Sequence, residues 1–115
     1  MDFVGQDTHI YKYEAGGAAG LGCIQTQSIL FDADGAPNLD IIKSITKRDE
    51  NHSAKTKLLL LENTTGAKVY LNKVKALVDA HPQTFHFDGC QLFNAVVSQK
   101  VYVKQITTAF DSISI

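Results

Sequence analysis

The chain has 115 residues, with 11 Lys and Arg against 12 Asp and Glu for a formal net charge of −1, and 44% of its residues are hydrophobic. That length suits one domain able to bury roughly two thirds of the surface its unfolded chain exposes, and the near-average composition and near-zero charge argue against disorder and against a nucleic-acid-binding surface. No apolar stretch approaches the roughly 20 residues that span a bilayer, and Met1 to Gly5 lacks the basic and apolar regions of a signal peptide, so the chain is read as cytoplasmic with no membrane partner.

Along the chain, the run from Ala15 to Gly22 is too rich in glycine for a stable isolated helix and is expected to be a loop with a short helix. Cys23 to Phe31 alternates apolar and polar side chains before Asp32-Ala33-Asp34-Gly35, which predicts a half-buried strand closed by a turn. Asn38 is placed to cap a helix in which Leu39, Ile42 and Ile45 repeat at helical spacing, and a polar loop from Thr46 to Lys55 follows. The four leucines within Lys57 to Leu61 suit a strand buried on both faces at the centre of a sheet. The polar stretch Glu62-Asn63-Thr64-Thr65-Gly66 then falls at the strand's carboxyl end, where open α/β sheets place their ligands.

A helix from about Leu71 to Ala80, with Val74, Leu77 and Val78 on its apolar face, is expected to stop at His81-Pro82. Thr84 to Phe87 reads as a strand closed by Asp88-Gly89, Leu92 to Val97 as a helix, and Asp111 to Ile115 as a last strand. Lys100 and Lys104 read as solvated surface lysines. Alternating strands and helices give an α/β class, a three-layer domain with a largely parallel sheet and flanking helices. With no linker or internal repeat, residues 1–115 are read as a single domain, and an incomplete one because a terminal strand leaves an unpaired edge. That edge also predicts a homo-oligomer. Cys23 and Cys90 show no metal-binding spacing and are expected to be small buried hydrophobes, with no metal site.

Three blocks occur in order: HIYKYEAGG from His9 to Gly17, TKLLLLENTTGAKVY from Thr56 to Tyr70, and HFDGCQLFNA from His86 to Ala95. Together with NHSAKT at Asn51 to Thr56 and FDSISI at Phe110 to Ile115, they resemble the threonine aldolases of the β-eliminating lyase family. The resemblance covers nearly the whole chain. It implies the large domain of a pyridoxal-phosphate-dependent, fold type I aminotransferase-like enzyme. Its reaction is retro-aldol cleavage of a β-hydroxy-α-amino acid to glycine and an aldehyde.

The resemblance implies that Asp88 pairs with the pyridine nitrogen of pyridoxal phosphate, a task suited to a carboxylate at the end of a buried strand. Read without the blocks, Asp88 would instead cap a helix starting near Gly89. His9 matches the histidine that stacks on the cofactor ring and assists proton movement at the substrate hydroxyl, both within the reach of a flat side chain that titrates near neutrality. Read alone, it would be a solvated surface residue. Glu14, Glu62, Asn63 and Thr64 are candidates for orienting polar groups of cofactor or substrate. Glu62 reads equally as a supporting or solvated charge, and His86 equally as a satisfied core histidine.

Two departures from the family pattern stand out. Gln91 occupies the place of an arginine that would contact the cofactor oxygen or an acidic neighbour, and a glutamine can donate a hydrogen bond but supplies no charge. Gly66-Ala67 stands where a longer glycine-rich turn is usual. The resemblance also puts the Schiff-base lysine just after the strand that closes at Ile115, so the chain is expected to be a fragment that binds no cofactor covalently and is inactive alone. A second reading, of another class, is a non-catalytic α/β module that binds or self-associates.

Overall fold

The computed structural model describes all residues except 34–35, 48–49, 63–72, 74–75, 77–78 and 81–82. Its strands are β1 (Asp2–Gly5), β2 (Thr26–Ile29), β3 (Leu58–Glu62), β4 (Thr84–Asp88) and β5 (Ser112–Ser114). They form one sheet in the order β2-β1-β3-β4-β5, and every neighbouring pair is parallel. The helices are α1 (His9–Lys12), α2 (Gly17–Gly22), α3 (Leu39–Ile45), α4 (Leu92–Gln99) and α5 (Val103–Thr107). Parallel neighbours require crossover connections, and the helices between the strands supply them.

The leucine run is the sheet centre, as its unbroken apolar character predicts. Leu59, Leu60 and Leu61 are all buried. Leu59 sits beside Phe3 on one side and Phe85 on the other, while Leu61 sits beside Phe87. The pleat sends these residues to one face, where Ile42 of α3 joins Phe3, Leu59, Leu61 and Phe85, and where Leu92 and Ala95 of α4 and Ile106 of α5 join Phe87. Phe87 also stacks on Phe110, with ring centroids 4.7 Å apart. Val4 and Leu60 on the opposite face are buried as well, so the sheet is covered on both sides, as in a three-layer α/β domain.

The first strand was not expected. Asp2-Phe3-Val4-Gly5 is too short to display a period, yet all four residues are buried between β2 and β3. The strand expected from Cys23 begins only at Thr26, because Cys23 closes α2 in a left-handed conformation, φ 51°, donating its N–H to the carbonyl of Ala18. That position leaves Cys23 exposed, and Cys90 is exposed too, which corrects the reading of both as buried hydrophobes. Helix α5, also unanticipated, fills the space between α4 and β5. Of the helix expected from Leu71 to Ala80, the described residues Lys73, Ala76, Asp79 and Ala80 are helical, whereas Val74, Leu77 and Val78 lie outside the described residues. Lys100 and Lys104 are exposed, and among the described residues no helix is long and apolar enough to cross a membrane.

Asn38 caps α3 as its side chain predicts, Oδ1 accepting the N–H of Asp40 at 2.9 Å and of Ile41 at 3.3 Å. Replacing it by alanine leaves two amides to water and is expected to cost about 1 kcal/mol. Leu61→Ala, which opens a cavity between β3 and the helices, is expected to cost about 2–5 kcal/mol. Urea denaturation followed by circular dichroism compares the two, and equal losses would contradict this account of where the stability lies.

Candidate functional site

Because all strands run the same way, the carboxyl ends of the adjacent strands β1, β3 and β4 lie together at one end of the sheet. Each delivers a side chain there. After β1, Thr8 turns the chain sharply, its buried hydroxyl donating to the carbonyl of Gly5 at 2.6 Å, and His9 follows as the first residue of α1. The turn is tight enough to demand glycine at position 5, where a Cβ would lie 2.8 Å from the Phe31 ring and 2.9 Å from the Thr8 methyl. Strand β3 ends at Glu62 and β4 at Asp88, and these two residues are paired neighbours in the register.

His9, Glu62, Asp88, Cys90 and Gln91 line one cleft of about 160 Å³. The cleft is smaller than the roughly 300–1,000 Å³ of complete small-molecule sites. Asp88 is half-buried, and its Oδ1 accepts the N–H of Cys90 at 3.3 Å and the hydroxyl of Ser114 at 3.5 Å. It does not cap a helix, since α4 starts at Leu92 with Gln91 as its N-cap. His9 is exposed, with Nδ1 3.0 Å from Oε1 of Glu14 and its ring tilted 41° against that of Tyr13. A proton on Nδ1 shared with Glu14 leaves Nε2 as the ring nitrogen available to a ligand. The backbone N–H of His9 donates to Oε2 of Glu62 at 2.8 Å.

The arrangement therefore brings His9, Glu62, Asp88 and Gln91 together and sets Glu14 beside His9. His86 is elsewhere: it sits two residues back along β4, half-buried, with Nδ1 2.7 Å from the hydroxyl of Ser112. Asn63 and Thr64 lie outside the described residues. Sequence reasoning missed Cys90, taken for a core residue. Its place two positions after Asp88, beyond the glycine that ends the strand, was the signal that it would face the same cleft.

A profile of the beta-eliminating lyase family matches residues 2–115. The chain belongs to that family. It is 45% identical to the low specificity L-threonine aldolase of Escherichia coli (strain K12), over 97% of this chain and 35% of that protein. It is 36% identical to the probable low-specificity L-threonine aldolase 2 of Arabidopsis thaliana, over 97% of this chain and 34% of that one. A solved structure of the Leishmania major threonine aldolase superposes with a TM-score of 0.80 over 99% of this chain and 35% of that chain, at 23% identity, a likeness in fold. The chain thus spans about a third of the length of the curated relatives it matches.

Within this member of the beta-eliminating lyase family, the Cys90 thiol is pushed above its usual pKa. Hydrogen bonding to Asp88 contributes most, then the charge of Asp88, with desolvation and the charge of Glu62 adding to it. Alkylation needs the thiolate, so Cys90 is expected to react slowly with iodoacetamide at mildly alkaline pH. Asp88→Asn removes the negative charge, lowers the thiol pKa and should speed labelling of Cys90 several-fold while Cys23 keeps its native rate. Mass-spectrometric labelling rates check this, and an unchanged Cys90 rate in the variant would separate the thiol from Asp88.

Proposed function

We propose that this chain is the part of a pyridoxal-phosphate-dependent threonine aldolase that grips the cofactor ring by its nitrogen edge and by one face. The larger protein would cleave a β-hydroxy-α-amino acid to glycine and an aldehyde. One observation carries the reading: His9 and Asp88, distant in sequence, line the same cleft at the carboxyl end of a parallel sheet. The chain's similarity to low-specificity L-threonine aldolases supports the same reading.

The residues fit the ring of such a cofactor. Asp88 presents a carboxylate to a protonated ring nitrogen, an ionic hydrogen bond about twice as strong as a neutral one. The imidazole of His9 is flat and exposed, suited to lie against the ring, and Nε2 can take or return a proton at the substrate hydroxyl. Gln91 offers an amide N–H without charge. When bound, pyridoxal phosphate supplies an electron-poor ring that accepts the electron pair released as the Cα–Cβ bond breaks.

Among the described residues, none of the five that line the cleft is a lysine. Lys12, one turn beyond His9, is paired with Asp7, whose hydrogen bond and charge raise its pKa and keep it an ammonium, a poor nucleophile. Added pyridoxal phosphate is therefore expected to shift the NMR signals of His9 and of Asp88 to Gln91, and Asp88→Asn should weaken binding about tenfold or more. Borohydride reduction followed by peptide mapping should label no single lysine stoichiometrically, and threonine should release no glycine. Signals moving elsewhere, or binding indifferent to Asp88→Asn, would remove the proposed site; one dominant labelled lysine would reveal a substitute anchor.

A second reading, as a self-associating module, is favoured by the outer face of α4, where Phe93 and Val97 stand one turn apart and 61% and 77% exposed. Association through this face or through the β5 edge makes the protein a homo-oligomer. Light scattering should give a mass above 12.6 kDa at high concentration, returning toward it in Val97→Asp. A well-folded monomer throughout would end this reading.

A further inference from the structure

Glu62 and Asp88 end adjacent parallel strands in register, so their backbones lie roughly 5 Å apart and both side chains line one cleft. The protein gives them different partners. Asp88 has Oδ1 engaged by the amide of Cys90 and the hydroxyl of Ser114, and it faces the cleft with its charge. Glu62 reaches across to the β1 side, where Oε2 accepts the backbone N–H of His9 at 2.8 Å. His9 opens a helix of four residues that buries none of its side chains, so packing alone holds its imidazole loosely over the cleft. The bond to Glu62 ties that residue's backbone to the end of the central strand, while Glu14 at 3.0 Å fixes the ring from its other side.

We infer that Glu62 is a positioning residue: it anchors His9 over the cleft through the His9 amide and makes no direct contact with the ligand, leaving the cationic ring nitrogen to Asp88. This rests on the proposed role of His9 against a ring face. It divides the labour of two neighbouring carboxylates that residue type alone cannot tell apart.

The test has two arms. In the first, amide hydrogen exchange is followed without any ligand. Glu62→Ala is expected to expose the His9 amide about tenfold, Glu62→Gln, which keeps an oxygen acceptor, to restore most of the protection, and the Leu59 and Phe85 amides to stay native as controls of the fold. If Glu62→Ala does not fold, Glu62→Asp, one methylene shorter, replaces it with the same expectation. A His9 amide as protected as in the native chain overturns the proposal. In the second arm, pyridoxal phosphate affinity is measured by NMR titration in a double-mutant cycle. Glu62→Ala should weaken binding when His9 is present and change nothing further in the His9→Ala background. A loss that persists without His9 means that Glu62 touches the ligand itself and overturns the proposal. If the native chain takes up no pyridoxal phosphate at the cleft, the proposed function fails, and the exchange arm alone decides the anchoring of His9.

Discussion

All five strands point the same way, and the rest of the structure depends on that constraint. Parallel pairing forces each connection to cross back over the sheet, which places helices against it and gathers the carboxyl ends at one edge. The strands that flank the central β3 are β1 and β4, far apart in the chain, so His9 and Asp88 meet only because the sheet interleaves them. Burial of Leu59, Leu60 and Leu61 on both faces makes that interleaving stable, since slipping β3 by one residue would exchange the neighbours of Phe3, Phe85 and Phe87 all at once.

Close backbone approach is what brings the polar groups within reach of one another. A Cβ at Gly89 would lie 2.5 Å from the carbonyl of Ser114, which instead accepts the Gly89 N–H at 2.8 Å. That contact docks β5 against the end of β4 and presents the Ser114 hydroxyl to Asp88. Gly5 does the same service under α1, letting Thr8 and the Phe31 ring close in beneath the turn that delivers His9.

Much of this was legible in the residues, and the exceptions have physical causes. The leucine run, the Asn38 cap and the β4 to α4 order each rest on a strong local signal, a continuous apolar run or an amide-capping side chain, and each holds within a residue or two. Strand β1 was invisible because four residues give no period, and its burial comes wholly from tertiary neighbours. Cys23 and Cys90 were misjudged because the preference of cysteine for interiors is an average, whereas one closes a glycine-rich helix and the other follows a strand-ending glycine into a cleft. The convergence of His9 and Asp88 could be expected only from the resemblance. The bond from His9 to Glu62 was beyond reach, because no pattern records which of two adjacent carboxylates turns toward a neighbouring strand's loop.

Charge decides what the cleft can hold. Glu62 and Asp88 lie side by side, Glu14 stands at the His9 ring, and Gln91 brings no compensating cation. The pKa of Cys90 is raised first by its hydrogen bond to Asp88 and then by the negative charge of Asp88, with Glu62 adding to it, and these favour the neutral thiol over the thiolate. The negative field of the two carboxylates favours a cation at Asp88 and disfavours an anion. On the proposed function, a protonated ring nitrogen is well placed there, whereas a phosphate group has to be held by groups other than these. A guanidinium at position 91 would have offset part of the field and bound an anionic ring oxygen by a charged hydrogen bond. Since such bonds contribute about 1.5–3 kcal/mol against about 0.5–1.5 for neutral ones, on the proposed function the amide of Gln91 would forgo about 1 kcal/mol or slightly more at that oxygen. On that proposal, Gln91 would shift the balance of the grip toward the nitrogen edge and make Asp88 the residue on which ring binding chiefly turned.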